Sequence, residues 1–198
     1  MPNWVSQTVI ITGSAEDVAK LKDQVSQPYT QKWVDRDFNQ ETQKWDIINL
    51  KEQIQVPVIS FWNIIKPADE ILDAYYGVEE GNKDHWYDWN IANWGTKWDA
   101  CNAEILMESE TSVEYHYDTA WSPSLEVIQT LSCQYPNLTV SVNYEEEQGW
   151  GGEIAFLNGG VTYKDEYDIP TSHAEIEERG NECWCGGREE KVFADCPE

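Results

Sequence analysis

The order of strand-like and helix-like segments is the feature that most constrains the fold of this chain. Residues 5–12 are rich in β-branched side chains and predict a strand. Ser14 then supplies a helix N-cap, with Asp17 three residues later as the capping-box acid, and apolar residues recur at helical spacing up to Val25. Residues 58–65 predict a second, buried strand, so the chain opens with a β-α-β unit.

The second half of the chain has the predicted order β-β-α-β, followed by a hairpin. Its predicted strands are residues 103–107, 113–117, 138–144, 154–157 and 161–163, and its predicted helix is residues 122–135. The last two strands are joined by Asn158-Gly159-Gly160, a hairpin turn. Two split β-α-β units on one antiparallel sheet form the ferredoxin-like arrangement, so the predicted class is α+β. Its helices would cover one face of the sheet, and the other face would be open unless the C-terminal extension or the aromatic insertion covers it.

The length of 198 residues fits one domain with an additional segment at its C-terminal end. We assign residues 1–168 to the ferredoxin-like domain, with residues 26–56 as an inserted polar connection. Residues 85–98 form an aromatic-rich insertion. Residues 169–198 are predicted to be an acidic, cysteine-containing C-terminal extension in which residues 174–178 could form a short helix.

The charge of the chain restricts its partners. Lys and Arg number 13 and Asp and Glu 37, for a net charge of −24, and no Lys or Arg occurs from Trp98 to Tyr163. Such a chain repels nucleic-acid phosphates and anionic lipids, so we expect a basic protein as the partner and no direct contact with nucleic acid or membrane. The predicted acidic interaction surface comprises Glu104, Glu108, Glu110, Glu114, Asp118, Glu145, Glu146 and Glu147.

No apolar run is long enough to span a bilayer, and no basic segment precedes an apolar one at Met1-Pro2-Asn3-Trp4. We therefore expect a soluble cytoplasmic protein, located in the host cytoplasm if it is encoded by a phage. The oligomeric state is not predicted by the sequence.

Several short motifs occur in a fixed order along the first 160 residues. They are Met1-Pro2-Asn3-Trp4-Val5, Ile11-Thr12-Gly13, Phe61-Trp62-Asn63-Ile64-Ile65-Lys66-Pro67, Trp94-Gly95-Thr96-Lys97-Trp98-Asp99-Ala100 and Thr119-Ala120-Trp121-Ser122-Pro123. In these motifs the chain resembles the YubB-type or Api92-like ferredoxin-like family of bacteriophages and plasmids. The resemblance implies a ferredoxin-like fold and a mobile-element origin, and it brings no catalytic residues with it.

One of these motifs could form a stacking pocket with a single cation. The candidate residues are Trp94, Gly95, Thr96, Lys97, Trp98 and Trp121. Nearby Trp86 and Trp89 would add to this Trp-rich face. The alternative interpretation is structural: large aromatic side chains usually belong to the core, and these would fill the second face of the sheet.

Two further groups of residues could carry chemistry. Cys183, Cys185 and Cys196 could hold zinc with His173, although the one-residue spacing is not that of a typical zinc site and reduced thiols are the default in a cytosolic chain. His116 lies between Glu114 and Asp118 on one face of a predicted strand, where it could act as a base. A row of this kind is more often a solvated sheet face, and no complete catalytic motif is present. No cofactor is expected.

Three functions remain open. The first is a phage- or plasmid-type accessory protein that contacts a host or defence protein through its acidic surface, imitating nucleic acid. The second is a module that binds a small planar ligand at its Trp-rich face. The third is an enzyme that uses His116 or the C-terminal thiols, which fold class alone does not support.

Overall fold

The computed structural model describes residues 2–78 and 83–180. Its strands are β1 (Trp4–Thr12), β2 (Tyr29–Asn39), β3 (Lys44–Gln55), β4 (Cys101–Glu108), β5 (Ser112–Ala120), β6 (Thr139–Glu146), β7 (Gly151–Leu157) and β8 (Gly160–Tyr167). Six of them form one antiparallel sheet in the order β4-β5-β1-β6-β7-β8, and β2 and β3 form a separate hairpin. One of the two sites described below lies on the main sheet, and the other lies between the hairpin and the aromatic insertion.

The helices are short. They are α1 (Ala15–Val25), α2 (Leu72–Tyr75), α3 (Trp86–Trp94), α4 (Leu125–Gln134) and α5 (His173–Glu178). The predicted cap of α1 is confirmed, since Ser14 Oγ accepts a hydrogen bond from the Asp17 amide at 3.1 Å. Among the described residues, no helix combines the length and apolar character that crossing a membrane requires.

The ferredoxin-like prediction is confirmed. The two split β-α-β units are β1-α1-β4 and β5-α4-β6, which interleave so that β1 pairs with both β5 and β6. The predicted C-terminal hairpin is also present, and it extends the sheet by β7 and β8 beyond β6.

The prediction of a strand at residues 58–65 is wrong. This segment contains a 3₁₀ helix, Phe61–Asn63, whose N-cap is Ser60. The Ser60 amide donates to the carbonyl of Val25 at 3.0 Å, and this bond ties the segment to the end of α1 instead of to a strand. A short apolar run indicates that a segment is buried, but it does not distinguish a buried strand from a buried helical turn. The second strand of the first β-α-β unit is β4.

The two faces of the sheet differ sharply. Along β1 and β5, alternate residues are fully buried beneath α1 and α4, and the residues between them point to the opposite, open face. The buried residues on the helix-covered face of β1, β5 and β6 include Val5, Val9, Ile11, Val113, Tyr115, Tyr117, Val140 and Val142. The prediction that one face is helix-covered and one is open therefore holds along β1, β5 and β6.

A buried polar network joins β1 and β5 to the start of α4. Gln7 is 1% exposed, and its amide nitrogen donates to Thr119 Oγ1 at 2.6 Å. Its amide oxygen accepts from the Ser124 backbone N–H at 3.0 Å, and Ser124 Oγ lies 2.9 Å from the Tyr117 hydroxyl. A buried network of this kind is stabilising only while every member keeps its partner.

Replacing Gln7 with leucine is expected to lower the free energy of unfolding by about 2 kcal/mol, because the Ser124 N–H loses its buried acceptor. Urea denaturation of both proteins measures the difference. The matched control is Gln53→Leu on the exposed hairpin strand β3, which should leave the denaturation midpoint nearly unchanged. An equal midpoint for Gln7→Leu and the control would show that the network adds nothing to stability.

Residues 26–56, predicted as an inserted polar connection, contain the hairpin β2–β3. Asn39 begins the turn, and its side-chain oxygen accepts from the Glu41 and Thr42 amides at 3.0 and 3.1 Å. The ladder pairs Tyr29 with Gln55 at its base and Asn39 with Lys44 at its tip. Because β3 is exposed over nearly its whole length, many of its side chains are polar. The segment therefore resembles a polar connection in the sequence.

The interpretation that the aromatic rings fill the second face of the sheet is wrong for Trp94 but not for Trp98. The Phe61 ring lies 5.5 Å from the ring of Tyr117, which points to the helix-covered face, and 5.9 Å from the ring of Trp94, so α3 continues the helical layer. The Trp98 ring lies 5.9 Å from that of Trp4, which alternates with the core residues of β1 and is on the open face. The core gains the rings of Phe61 and Trp94, and most of the opposite face of the sheet stays open.

Candidate functional site

A cavity of about 810 Å³ lies between the hairpin β2–β3 and the aromatic insertion. Aromatic side chains converge on it from β2, the 3₁₀ helix, the end of α2, α3 and the segment after α3. They are Tyr29, Trp33, Trp62, Tyr75, Tyr76, Trp86, Trp94 and Trp98. The volume falls within the range of small-molecule sites, which are typically hundreds of cubic ångströms.

Trp62 is the centre of this aromatic group. Its ring stacks on Tyr29 with centroids 5.6 Å apart and an interplanar angle of 17°. It also lies 5.6 Å from Tyr75 and 6.4 Å from Tyr76. Burial raises the pKa of the Tyr29 and Tyr75 hydroxyls, so both remain hydrogen-bond donors at neutral pH. The wall is thus built from rings in mutual contact and is preorganised.

Asp99 joins three parts of the cavity wall. Its carboxylate accepts from the Phe61 amide at 2.6 Å, from the Ala100 amide at 2.8 Å and from the Tyr29 hydroxyl at 3.1 Å. It also accepts from Ser60 Oγ. Burial raises the pKa of the Asp99 carboxyl, and these hydrogen bonds act in the opposite direction. Since its oxygens are fully engaged, Asp99 has a structural role and is a poor candidate for a base.

The sequence-predicted pocket does not form as one unit. Trp94 is 2% exposed and donates its indole N–H to the Ile65 carbonyl at 2.9 Å, so it belongs to the core. Thr96 is buried and its hydroxyl donates to the Ala120 carbonyl at 3.0 Å. Gly95 ends α3 with a φ of +79°. Within this set, the structural interpretation as core residues is the correct one for Trp94 and Thr96.

The other members of that set are more exposed. Lys97 Nζ lies 4.6 Å from the centroid of the Trp98 ring, so the predicted contact between the cation and an indole is present. Trp121 is 50% exposed and is not part of the cavity wall. Only Trp94 and Trp98 of the predicted residues line the cavity. The predicted site contains the right type of side chain, the indole, but it omits the hairpin residues that line the cavity, such as Tyr29 and Trp33.

The open face of the sheet is strongly acidic. Register pairing places Glu104, His116, Thr8, Asn143, Glu153 and Asp165 in one row across all six strands. Neighbouring rows add Glu114, Asp118 and Glu145. We call these six carboxylates the acidic face: Glu104, Glu114, Asp118, Glu145, Glu153 and Asp165.

The six strands contain no basic residue that would offset the acidic face. Lys164 is their only Lys or Arg, and it lies on the opposite side, in register with Ile154 and ion-paired with Glu166 at 2.6 Å. Carboxylates along paired strands repel one another, which is unfavourable for stability unless a cationic partner is present. This face therefore carries a concentrated negative potential.

Four of the eight predicted acidic residues are not part of the acidic face, although Glu147 borders the cleft at its end. Glu146 is 3% exposed on the core side, where it accepts from Asn3 and from the Gln148 amide. Glu108 pairs with Lys22 of α1. Glu110 lies in the β4–β5 turn, and Glu147 follows β6. The period of two in a strand makes alternate carboxylates point to opposite sides, which a linear run of acidic residues does not reveal.

A cleft of about 760 Å³ lies at the Trp4 end of the acidic face, lined in part by Asp118, Glu145 and Glu147. Arg179, just after α5, also borders it. The Arg179 guanidinium lies 4.8 Å from the Tyr167 ring centroid. It donates to the carbonyls of Gly149 and Asp168 at 3.0 and 2.9 Å and pairs with Glu175. This end of the face thus accommodates a guanidinium group.

The structure does not strengthen the case for the candidate base or for the candidate zinc ligands. His116 lies on the acidic face, 3.4 Å from Thr8 Oγ1, which is long for a hydrogen bond. Cys183, Cys185 and Cys196 lie outside the described residues. His173 begins α5, with Nε2 3.2 Å from a Glu177 oxygen. Over residues 2–78 and 83–180, no group of three or more His, Cys, Asp or Glu side chains could hold a metal ion.

Comparison with known proteins supports the fold and part of the predicted resemblance. Residues 93–183 match the family model described as the ferredoxin-like domain in Api92-like protein. The chain is also similar to the crystal structure of protein api92 from Yersinia pseudotuberculosis, with a TM-score of 0.62 and 13% identity. That similarity covers 86% of this chain and 99% of the other and, at this identity, shows the fold alone. No curated protein matches the chain.

Proposed function

We propose that this protein is a non-enzymatic accessory protein that binds a basic protein partner through the acidic face. The observation that carries the proposal is the set of six carboxylates on an open sheet face whose strands contribute no Lys or Arg to it. The rigid pairing of the strands holds these charges at fixed positions. A partner with a complementary basic surface would associate rapidly, and the association would weaken with added salt.

We further propose that the partner itself binds nucleic acid. Rows of carboxylates on a twisted sheet could imitate the spaced phosphates of a nucleic-acid backbone, and they would then occupy the partner's nucleic-acid site. On this proposal the protein is a phage- or plasmid-type inhibitor that acts on a host or defence protein in the cytoplasm. The mobile-element origin implied by its sequence motifs supports this role. The position of Arg179 at the end of the face supports arginine as a cation the partner presents.

Neutralising the acidic face is expected to weaken binding of an oligoarginine peptide by at least about tenfold at low salt. The face variant is Glu104→Gln, Glu114→Gln, Asp118→Asn and Glu145→Gln. The matched control is Glu41→Gln, Glu70→Gln, Asp73→Asn and Asp88→Asn, four exposed carboxylates elsewhere. Each variant changes the net charge from −24 to −20, because four charges are removed, so only position differs. Fluorescence anisotropy of the labelled peptide measures affinity.

The partner prediction is tested in a bacterial lysate. The tagged protein, the control and the face variant are incubated with lysate at low salt, and the bound proteins are then eluted with duplex DNA. We expect DNA to release a nucleic-acid-binding protein from the wild type and the control but not from the face variant. Equal peptide affinity for both variants, together with a DNA eluate that does not depend on the face, would refute the proposal.

A further inference from the structure

The cavity between the hairpin and the aromatic insertion has a balanced charge, although the chain carries a net charge of −24. Among the described residues that line it, the only Lys, Arg, Asp or Glu side chains are Lys32, Arg36 and Asp99. Lys32 is ion-paired with Glu52 at 3.0 Å, so the wall and this neighbour together hold two cations and two carboxylates. No carboxylate of the acidic face lines the cavity in the part of the chain that the structure describes. The wall is therefore close to neutral.

The charged groups of the wall are already engaged within the protein. The Asp99 carboxylate accepts from four donors, and Arg36 donates to the carbonyl of Gly77. The Tyr75 hydroxyl likewise donates to Asn90 Oδ1 at 3.0 Å. An ionic ligand would lose its hydration on entering the cavity and would have to compete with these partners for a group of opposite charge. A neutral ligand does not incur this cost, so the wall favours a neutral ligand.

Apolar side chains at the cavity are left exposed to solvent. Trp33 is 37% exposed, Val58 37% and Val56 77%, and all three line the cavity. Within the described part of the chain, no aromatic ring packs against the indole of Trp33. A flat apolar molecule in the cavity would remove this surface from water and stack on the exposed indole.

The indole N–H groups of Trp62 and Trp86 are available as hydrogen-bond donors at the wall. Over residues 2–78 and 83–180, neither donates to a protein acceptor, and neither is a buried polar atom without a partner. Since both side chains are only partly buried, both N–H groups are open to solvent. A carbonyl oxygen or ring nitrogen on the edge of a ligand can accept from such a donor.

We propose that this cavity binds a neutral planar molecule of two or three fused rings with a hydrogen-bond acceptor on its edge. The ring system lies against Trp33, and the acceptor lies toward the indole N–H groups of Trp62 and Trp86. The cavity volume of about 810 Å³ accommodates a molecule of this size. The acidic face takes no part, so ligand binding and the contact with a basic partner stand or fall independently.

The test compares neutral planar probes with counterparts that change one property each. Coumarin and riboflavin are the neutral planar probes, coumarin-3-carboxylate and FMN are their anionic counterparts, and octahydrocoumarin is the saturated, non-planar one. Isothermal titration calorimetry of the full chain measures the affinities at about 0.5 M salt, which screens the repulsion of anions by the rest of the chain.

We expect coumarin or riboflavin to bind with a dissociation constant below about 1 mM. Its anionic counterpart should bind more weakly, and so should octahydrocoumarin if coumarin is the probe that binds. Absence of saturable binding by both neutral planar probes would overturn the proposal. It would also be overturned if the anionic or the saturated counterpart bound as tightly as the neutral planar probe.

Variants of Trp33 locate the site. Trp33→Ser should weaken binding of the neutral planar probe by about tenfold, which corresponds to the loss of one stacking partner. Trp33→Phe keeps a ring at this position and should lose less than about threefold. Trp45→Ser is the matched control, since Trp45 is 56% exposed on the same hairpin and does not line the cavity. Equal affinity in Trp33→Ser and Trp45→Ser would contradict the assignment.

The same variants separate this proposal from the contact with a basic partner. Trp33→Ser should keep the oligoarginine affinity of the wild type, because Trp33 is not part of the acidic face. The variant of the acidic face should in turn keep the affinity for the neutral planar probe. Circular dichroism verifies that each variant is folded.

Discussion

Replacing Asp99 with alanine is expected to lower the free energy of unfolding by about 3 kcal/mol, because several donors lose one shared acceptor. The Phe61 and Ala100 amides are fixed in the backbone and cannot turn toward another acceptor. The Tyr29 and Ser60 hydroxyls can rotate and recover part of the loss. A cost of this size is a large fraction of the stability of an ordinary domain.

Urea denaturation followed by circular dichroism measures this effect. Asp99→Asn should be milder, at about 1 kcal/mol, because its amide oxygen still accepts from the two backbone N–H groups. Asp69→Ala is the control, since Asp69 is exposed and only approaches Lys66 at 3.5 Å, a pair worth little. If Asp99→Ala were as stable as Asp69→Ala, Asp99 would not be the structural link that we assign.

Replacing Phe61 with alanine is expected to lower the free energy of unfolding by about 3–5 kcal/mol. Phe61 is fully buried and its ring contacts those of Trp94 and Tyr117, so the truncation leaves a cavity between the aromatic insertion and the sheet. The surrounding rings are held by their own contacts and cannot collapse fully into the space. The loss should therefore exceed the transfer free energy of the side chain alone.

Phe38→Ala is the matched control for this change. Phe38 is 39% exposed near the tip of the hairpin and contacts only one ring, that of Trp45 at 5.3 Å, among its described aromatic neighbours. Its truncation should cost under about 1 kcal/mol. Tryptophan emission, followed during the same titration, should shift to longer wavelength at lower urea in Phe61→Ala than in Phe38→Ala. Coincident transitions would mean that Phe61 does not anchor the insertion.

The acidic face and the cavity are built from different parts of one scaffold. The acidic face depends on strand register, which places carboxylates from β4, β5, β6, β7 and β8 on the open side. The cavity depends on the segment between α1 and β4, which supplies most of its lining residues. Variants of either site can therefore be made without altering the other, and the two functions can be assayed separately.

Part of the candidate sites was predictable from the sequence. The absence of Lys and Arg from Trp98 to Tyr163 correctly indicated an acidic half, and Glu104, Glu114, Asp118 and Glu145 are on one face as alternation requires. Glu146 was assigned to that surface but points into the core, because it is one residue out of phase with Glu145. Side-chain alternation within the three consecutive glutamates puts Glu145 and Glu146 on opposite sides of β6.

The cavity was not predictable in the same way. Trp33 and Arg36 come from a stretch that looked like a polar connection, and they meet Trp62, His85 and Trp86 only after the hairpin folds back. The motifs around Phe61 and Trp94 were recognised one by one, but their connection through Asp99 spans more than 35 residues. A link of this kind leaves no local periodicity, so no pattern in the chain indicates it.

The sequence by itself determined the ferredoxin-like order of strands and helices, the capped start of α1 and the strong negative charge. These follow from local propensity, side-chain alternation and composition, which act over a few residues and need no partner. Only the tertiary structure decided that residues 58–65 contain a 3₁₀ helix, that residues 29–55 form a hairpin and that Phe61 and Trp94 join the helical layer. Those outcomes depend on which distant surfaces are available to bury a side chain, and this becomes defined only when the whole chain packs.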